Sequence, residues 1–454
     1  MLASCGFSKR TGTSASEIVF LLMLWVWLKA DTIAMFTRES LLSFSVAKKD
    51  ALYDLLNRED LNWRKLQLHT AKKLIALEGK SKVRAFVVDD SVKIRRGKKM
   101  PGVSSHFDHL TGRCVMGQQV LTLGYASDSQ FVPLDNEIFI SQTKAQPLTR
   151  KFKDERSVVA KRYKQAVNQT KPTMVADMVK RALRAGIEAD YFLADSWFAT
   201  KPVIKMTFEH DLTAILRMKK SKMKYRLADN SECNSAELFK TKIKRQWQKL
   251  AGLPYQTKSI IVEVNLAQTA KEQARWVKIK LVFCRGVNPD KKKAGKHDWA
   301  LFLSTNTLLA DEKILEIYAL RWGIEVYFKE AKQHLGFLSE QSRHYGAYIA
   351  SIHLTGLRFC LLLHAKQSND NEKVSVTRNL LSESLNNLDF ACKLWGLFKA
   401  LISDSISSIP SLSLAESEII LDKINEKVTS FFNQIMQMDT FTLRQEAVTT
   451  GEYP

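Results

Sequence analysis

The stretch "LEIYALRWGIEVYFKEAKQHLGF", residues 315–337, sets Tyr318, Arg321, Glu325 and Lys332 among apolar neighbours. Its spacing predicts one helix. At about 100° per residue, with Tyr318 at 0°, Arg321 falls near 300°, Glu325 near 340° and Lys332 near 320°. The four polar groups therefore share an arc of roughly 60°. Leu320, Ile324, Tyr327, Ala331, Leu335 and Leu338 gather between about 180° and 260°, an apolar face distinct from the polar one. An ordinary surface helix with a salt bridge would also show charge here. Arg321 precedes Glu325 at i,i+4, however, which is the weaker order for a helical pair. Trp322 and Phe328 flank the stripe and suit a groove better than a fully solvated face.

Working outward, two strand-like segments end in aspartate. "VRAFVVDD" (83–90) reads as a buried strand finishing at Asp89 and Asp90, and "ADYFLADSWF" (189–198) as a strand finishing at Asp195. Taken singly these aspartates fit turns or helix caps. Taken together with Glu325 they form a different pattern. Strand ends converge at one edge of a sheet, and a helix packed across that edge adds a third carboxylate. Three carboxylates with few other protein ligands suit Mg²⁺, which keeps waters and takes substrate phosphates. Two such ions activate a water or hydroxyl and stabilise the leaving oxygen in phosphodiester cleavage. Arg321 beside Glu325 would then grip phosphate bidentately and Lys332 as a point charge, while Tyr318 would donate its hydroxyl or stack.

The rest of the chain orders itself around these segments. Residues 1–80 read as helices at 15–28, 48–58 and 62–77, the first opened by a capping box at Ser14 and Glu17. "RCVMGQQVLTLGYA" (113–126) reads as one or two strands of an antiparallel meander with a turn at Gly117. A helix over 171–186 ends at Gly186, another starts near Thr200, and "LTAILRM" (212–218) is a further strand. This predicts an α/β mixed sheet with covering helices over 81–218. Residues 219–298 form a basic, β-rich insertion with strands at 259–264 and 276–286. "WALFLST" (299–305) returns to the core, which ends with the Glu325 helix at 345, and 346–454 is helical.

Composition narrows the partner. The 454 residues suffice for several domains, and apolar content is an ordinary 45%. Lys and Arg number 69 against 47 Asp and Glu, a net charge of +22. The excess recurs in "KIRRGKK" (93–99), "LTRKFKDERSVVAKRYK" (148–164), "RMKKSKMKYR" (217–226), "KTKIKRQWQK" (240–249) and "KKKAGK" (291–296). Basic segments spread along the chain point to a long polyanion, and nucleic acid fits best because phosphate neutralisation dominates its binding. The six scattered cysteines lack zinc spacing and suggest no disulfide framework, which fits a reducing cytosol. His106 and His109 in "HFDH" lack partners at zinc spacing. "IVFLLMLWVWL" (18–28) and "LRFCLLLHA" (357–365) are too short to cross a bilayer and read as buried helix.

The spacing Tyr-x2-Arg-x3-Glu-x6-Lys at Tyr318, Arg321, Glu325 and Lys332 resembles the signature of the bacterial insertion-sequence-four family of DDE transposases. "VVDDS" is similar to the first catalytic block of that family, "LADSWF" to the second and "YALRWGIEVYFKEAKQHLG" to the third. The helical N-terminal region and the insertion before the third block are also similar, so the resemblance runs from about residue 6 to residue 365. It implies a ribonuclease-H-like (retroviral-integrase-type) catalytic core. Asp90, Asp195 and Glu325 would hold two Mg²⁺ ions, with Mn²⁺ as a substitute. Asp90 is preferred to Asp89 because the family places its catalytic aspartate just before Ser or Thr, here Ser91, and strand alternation turns only one of the pair toward the site. Tyr318, Arg321 and Lys332 would contact DNA. Trp247 and Trp276 are insertion aromatics of the kind that stack on a flipped base in relatives, against the plainer reading of both as core.

The resemblance further implies nicking at the terminal inverted repeats of an element and attack by the freed 3′-hydroxyl on target DNA. A homodimer on paired ends in the bacterial cytoplasm, at the nucleoid and without membrane association, follows from it. The alternatives are another ribonuclease-H-fold nuclease and a DNA-binding relative without catalysis.

Overall fold

In the computed structural model of the chain, residues 1–79, 81–97, 99–108, 112–243, 245, 247–269, 271–287, 298–368 and 373–436 are described. The "KKKAGK" run, His109 and the C-terminal end of the chain lie outside them. Strand β1 (Arg84–Ile94) forms where four consecutive residues, Ala85 to Val88, are all buried, as a strand covered on both faces requires. It continues through Asp89 and Asp90 instead of ending at them, so neither aspartate is a turn residue. Next come β2 (Ser104–Asp108), β3 (Arg113–Ser127) and β4 (Phe131–Phe139), antiparallel to one another, with β3 also antiparallel to β1. The expected turn at Gly117 is absent, and β3 runs straight through it. A Cβ there would lie 2.6 Å from Val92 Cγ1 and 2.8 Å from the Lys93 carbonyl oxygen, so this glycine lets β3 approach β1 closely.

Strands β5 (Tyr191–Ala194) and β6 (Thr213–Met218) extend the other edge of β1 in parallel. The basic region then supplies β7 (Lys224–Arg226), β8 (Glu232–Asn234), β9 (Gln248–Lys249), β10 (Tyr255–Asn265) and β11 (Trp276–Gly286), followed by β12 (Ala300–Ser304). The result is one 12-stranded mixed sheet ordered β2-β3-β1-β5-β6-β12-β11-β10-β7-β8, with β4 beside β3 and β9 beside β10. The insertion is thus a continuation of the central sheet, joined where β12 pairs antiparallel with β6.

The helices are α1 (Ala15–Leu24), α2 (Ile33–Glu39), α3 (Lys49–Asn57), α4 (Trp63–Glu78), α5 (Val158–Asn168), α6 (Lys171–Arg184), α7 (Lys201–Glu209), α8 (Ser235–Leu238), α9 (Asp311–Ala319), α10 (Trp322–His334), α11 (Tyr345–Ser368), α12 (Val374–Ser407) and α13 (Leu414–Met436). Ser14 caps α1 through the Glu17 amide, but the Glu17 carboxylate turns to Ser45 Oγ, so only half of the expected capping box forms. Helix α10 packs against β1 and β4, α11 against β4, and α6 against β3 and β4. The N-terminal helices do not stand apart. A continuous apolar core joins Cys5, Ile18 and Trp63 to the strands and to α11, with α4 packed on β4 and α11. Tyr345–Ser368 is long and apolar enough to cross a membrane, yet 94% of its most apolar window is buried inside the protein. "IVFLLMLWVWL" forms α1 and a 3₁₀ turn, largely buried.

Candidate active site

Strand register decides which aspartate joins the site. Val88 of β1 pairs with Ala194 of β5 in parallel, so the next residues, Asp89 and Asp195, leave the pair side by side. The Asp89 carboxyl is pushed up to about 7, first by burial and then by the Asp195 charge. Asp195 Oδ1 accepts the Trp197 amide at 2.9 Å and the Phe198 amide at 3.4 Å. The turn-capping reading of Asp195 therefore holds for this oxygen, and among the described residues Oδ2 makes no hydrogen bond.

Asp90 is not brought to this cluster. Adjacent side chains on a strand point to opposite faces, and Asp90 meets α6, accepting from Lys171 Nζ at 2.7 Å and from Gln119 Nε2 at 2.8 Å. The Lys171 ammonium lies 4.0 Å from the Trp197 ring centroid. The expectation of Asp90 as the site aspartate thus meets a structure in which Asp89 has that position. The motif-based preference for the aspartate next to Ser91 carried no register information, because the partner strand is about a hundred residues away in sequence.

The opening stretch is two helices, not one. Helix α9 ends at Ala319, Leu320 and Arg321 form a turn, and α10 begins at Trp322. Arg321, at the break, bridges two carboxylates. Its Nη1 donates to Asp89 Oδ2 at 2.9 Å and its Nη2 to Glu325 Oε1 at 3.1 Å. Close approach at this junction depends on Gly323, where a Cβ would lie 2.6 Å from Phe131 Cβ. Tyr318 packs edge-on against Phe302 with ring centroids 4.9 Å apart. Its phenol is pushed up to about 12 by burial, and among the charges acting on it are Arg321, Arg217, Asp195 and Asp89. Lys332, about two turns beyond Glu325, has its ammonium held below the usual lysine range by partial burial and then by Lys93.

Tyr318, Arg321, Glu325, Lys332 and Asp195 therefore converge on Asp89. Trp247 and Trp276 pack inside the insertion instead. The Arg285 guanidinium covers Trp247 at 4.2 Å, with Phe239 beside the ring, and Arg226 covers Trp276 at 4.0 Å. Three further residues belong to the site's surroundings. Lys93 lies on the Asp89 face of β1, two alternations on, and would have been found had the strand been extended past Asp90. Arg217 follows Leu216, the residue paired with Ala194, so it lies level with Asp195 on the neighbouring strand. Lys171 gave no sign in the sequence beyond its place at a helix start.

The donor chemistry fits a hard divalent cation. Asp89 and Asp195 are adjacent carboxylates whose mutual repulsion such an ion would relieve. Among the described residues no group of three or more His, Cys, Asp or Glu side chains is gathered closely enough to hold an ion, and the Arg321 guanidinium bonds to both Asp89 and Glu325.

The comparisons with known proteins bear on the same region. No curated protein matches the chain. Residues 28–276, which include β1, β5 and both aspartates but end before α10, match the family model described as DDE superfamily endonuclease. Together, a mixed α/β fold, carboxylates side by side on β1 and just after β5, and this match over more than half of the residues establish that the chain belongs to the DDE superfamily endonucleases.

Proposed function

We propose that this chain is a DNA transposase of the insertion-sequence-four type, with Asp89, Asp195 and Glu325 as its catalytic carboxylates. The observation that carries this reading is the register that sets Asp89 beside Asp195, with Arg321 linking Asp89 to Glu325. The five strands β4-β3-β1-β5-β6 correspond to a ribonuclease-H-like core, and β7 to β11 to the insertion typical of the type. Asp89, Asp195 and Glu325 would hold Mg²⁺ or Mn²⁺. When bound, the metal supplies a water of lowered pKa and positive charge at the scissile phosphate.

The protein's own groups do the rest. Arg321 holds Asp89 and Glu325 through Nη1 and Nη2, and its remaining N–H groups are the donors it has for a phosphate. Tyr318, neutral at any physiological pH, donates its hydroxyl to a phosphate oxygen. Lys332 adds a point charge further along the strand. Water attacks the scissile phosphorus, the P–O3′ bond breaks, and a 3′-hydroxyl and a 5′-phosphate result. The freed 3′-hydroxyl then attacks a target phosphodiester by the same in-line displacement. The substrates are the inverted repeats of the element and target DNA, held by a dimer that pairs two ends.

The test is a supercoiled plasmid carrying the DNA that flanks the coding sequence, incubated with protein and Mg²⁺. Wild type is expected to nick at paired inverted repeats. Glu325→Ala is expected to bind the same DNA without nicking. Full nicking by Glu325→Ala overturns the assignment of the carboxylates. Binding without cleavage by wild type in either metal favours a non-catalytic DNA-binding relative.

A further inference from the structure

Beside the carboxylates lies a second feature. A polar cleft of about 440 Å³ opens between the end of α10, the start of α12 and the loop Trp25–Asp31. Lys29, Lys93, Lys332, His334 and Arg378 line it, with Asp31 as its acidic member. Arg378 is already neutralised, donating to Glu330 Oε2 at 2.6 Å. Lys93 and Lys332 are not. Neither makes an ion pair among the described residues, and the Lys93 charge bears on Lys332, while Arg95 bears on Lys93. Two half-compensated ammoniums converging on one cleft are costly unless an anion joins them. Burial of the Lys93 stem adds to the cost.

The position of the cleft identifies the anion. Asp89 and Lys93 lie on the same face of β1, four residues apart, a distance of about 13 Å at strand spacing. That equals roughly four nucleotides of axial rise along a DNA strand. Lys332 stands between, on α10 beyond Glu325. We infer that the cleft is a phosphodiester subsite for the DNA strand that runs through the carboxylate site, with Lys93 and Lys29 as backbone contacts a few nucleotides from the scissile bond. This rests on the DNA-cleaving reading above and adds a direction to it, since the strand leaves the carboxylates along β1 toward the N-terminal helices. It also gives those helices a role in holding DNA through the loop that carries Lys29.

The experiment uses full-length protein in EDTA, a fluorescein-labelled 30-base-pair duplex of arbitrary sequence, and anisotropy at several salt concentrations. Each phosphate contact contributes about 0.9 to the slope of log K against log salt. Lys93→Gln and the exposed Lys29→Gln are each expected to lower the slope by about one and to weaken binding about eightfold at 0.1 M salt. Lys93→Arg restores the slope, and Lys423→Gln on α13 leaves it unchanged. Unchanged slopes in both glutamine variants overturn the inference. Inorganic phosphate provides the other arm. If it raises the melting temperature of wild type but not of Lys93→Gln, while the duplex slopes stay unchanged, the cleft takes free phosphate and the DNA assignment falls. Because binding is read without metal, loss of nicking in the plasmid assay would count against the catalytic reading and leave the slope result standing.

Discussion

Two acidic clusters lie on either side of the same sheet region and are handled in opposite ways. Asp135 and Glu137 on β4 are buried and surrounded by Arg64, Arg162 and Arg181. Burial works to raise both carboxyls, yet the guanidiniums win and hold them below the usual carboxylate range. Around Asp89 and Asp195 the balance is reversed, with a single arginine shared between Asp89 and Glu325 and Asp89 pushed up to about 7. A carboxylate whose countercharges all come from the chain is structural. A carboxylate whose compensation is incomplete is a candidate for holding a ligand. Charge count alone does not separate the two clusters, and only the supply of fixed partners does.

The largest test of this contrast exchanges the roles of adjacent aspartates. Asp89→Asn is expected to lower metal-dependent nicking by about 10²-fold or more while leaving the fold intact. Asp90→Asn is expected to leave cleavage measurable, because its partners are Lys171 and Gln119. Loss of cleavage in Asp90→Asn with retention in Asp89→Asn reverses the assignment. In the structural cluster the expected outcomes are inverted. Asp135→Ala leaves three guanidiniums to the single carboxylate of Glu137 and is expected to cost about 3–5 kcal/mol of stability, read as a lower urea midpoint.

Acid provides a gentler version of the same test. The folded-state pKa values of Asp135 and Glu137 lie below the unfolded ones, so their stabilisation is complete above about 4 and is lost as pH falls through the folded values. His353, buried beside Arg162 and Gln67, has its pKa driven well below 6.5 by burial and then by Arg162. It stays neutral when folded, whereas the unfolded chain takes up the proton. Stability should therefore begin to fall below about pH 6.5, before the carboxylates contribute. Asp135→Asn should flatten the lower limb of a urea-midpoint profile, and His353→Gln the upper limb. A profile indifferent to both would remove the cluster as the source of acid sensitivity. The smallest effect is expected from Lys171→Met, which removes one charge-assisted hydrogen bond to Asp90 and about 1–3 kcal/mol. Its cleavage should drop far less than that of Asp89→Asn. An equal drop would make Lys171 part of the machinery.

Local pattern made a good part of this legible in sequence. The buried run "AFVV" fixes β1, Thr170 with Pro172 fixes the start of α6, and the spacing from Tyr318 to Lys332 marks a polar stripe. These depend on neighbours within a turn or a pleat, which sequence displays directly. Strand β4 escaped because "FVPLDNEIF" carries Pro133, Asp135, Asn136 and Glu137, residues that argue against a buried strand until three arginines from α4, α5 and α6 arrive to neutralise them. The break at Leu320–Arg321 escaped because the residues there are ordinary helix formers. The choice between Asp89 and Asp90 escaped for the same reason as β4. A one-residue difference on a strand reverses the face, and the face is set by pairing with a strand about a hundred residues distant. The sequence by itself determined which residue types the site contains, a set of carboxylates with a basic stripe in a basic chain. Tertiary structure alone decided which aspartate faces Asp195, that Arg321 stands between Asp89 and Glu325, and that Lys93 joins Lys332 in one cleft, because each depends on register and packing between segments that share no local signal.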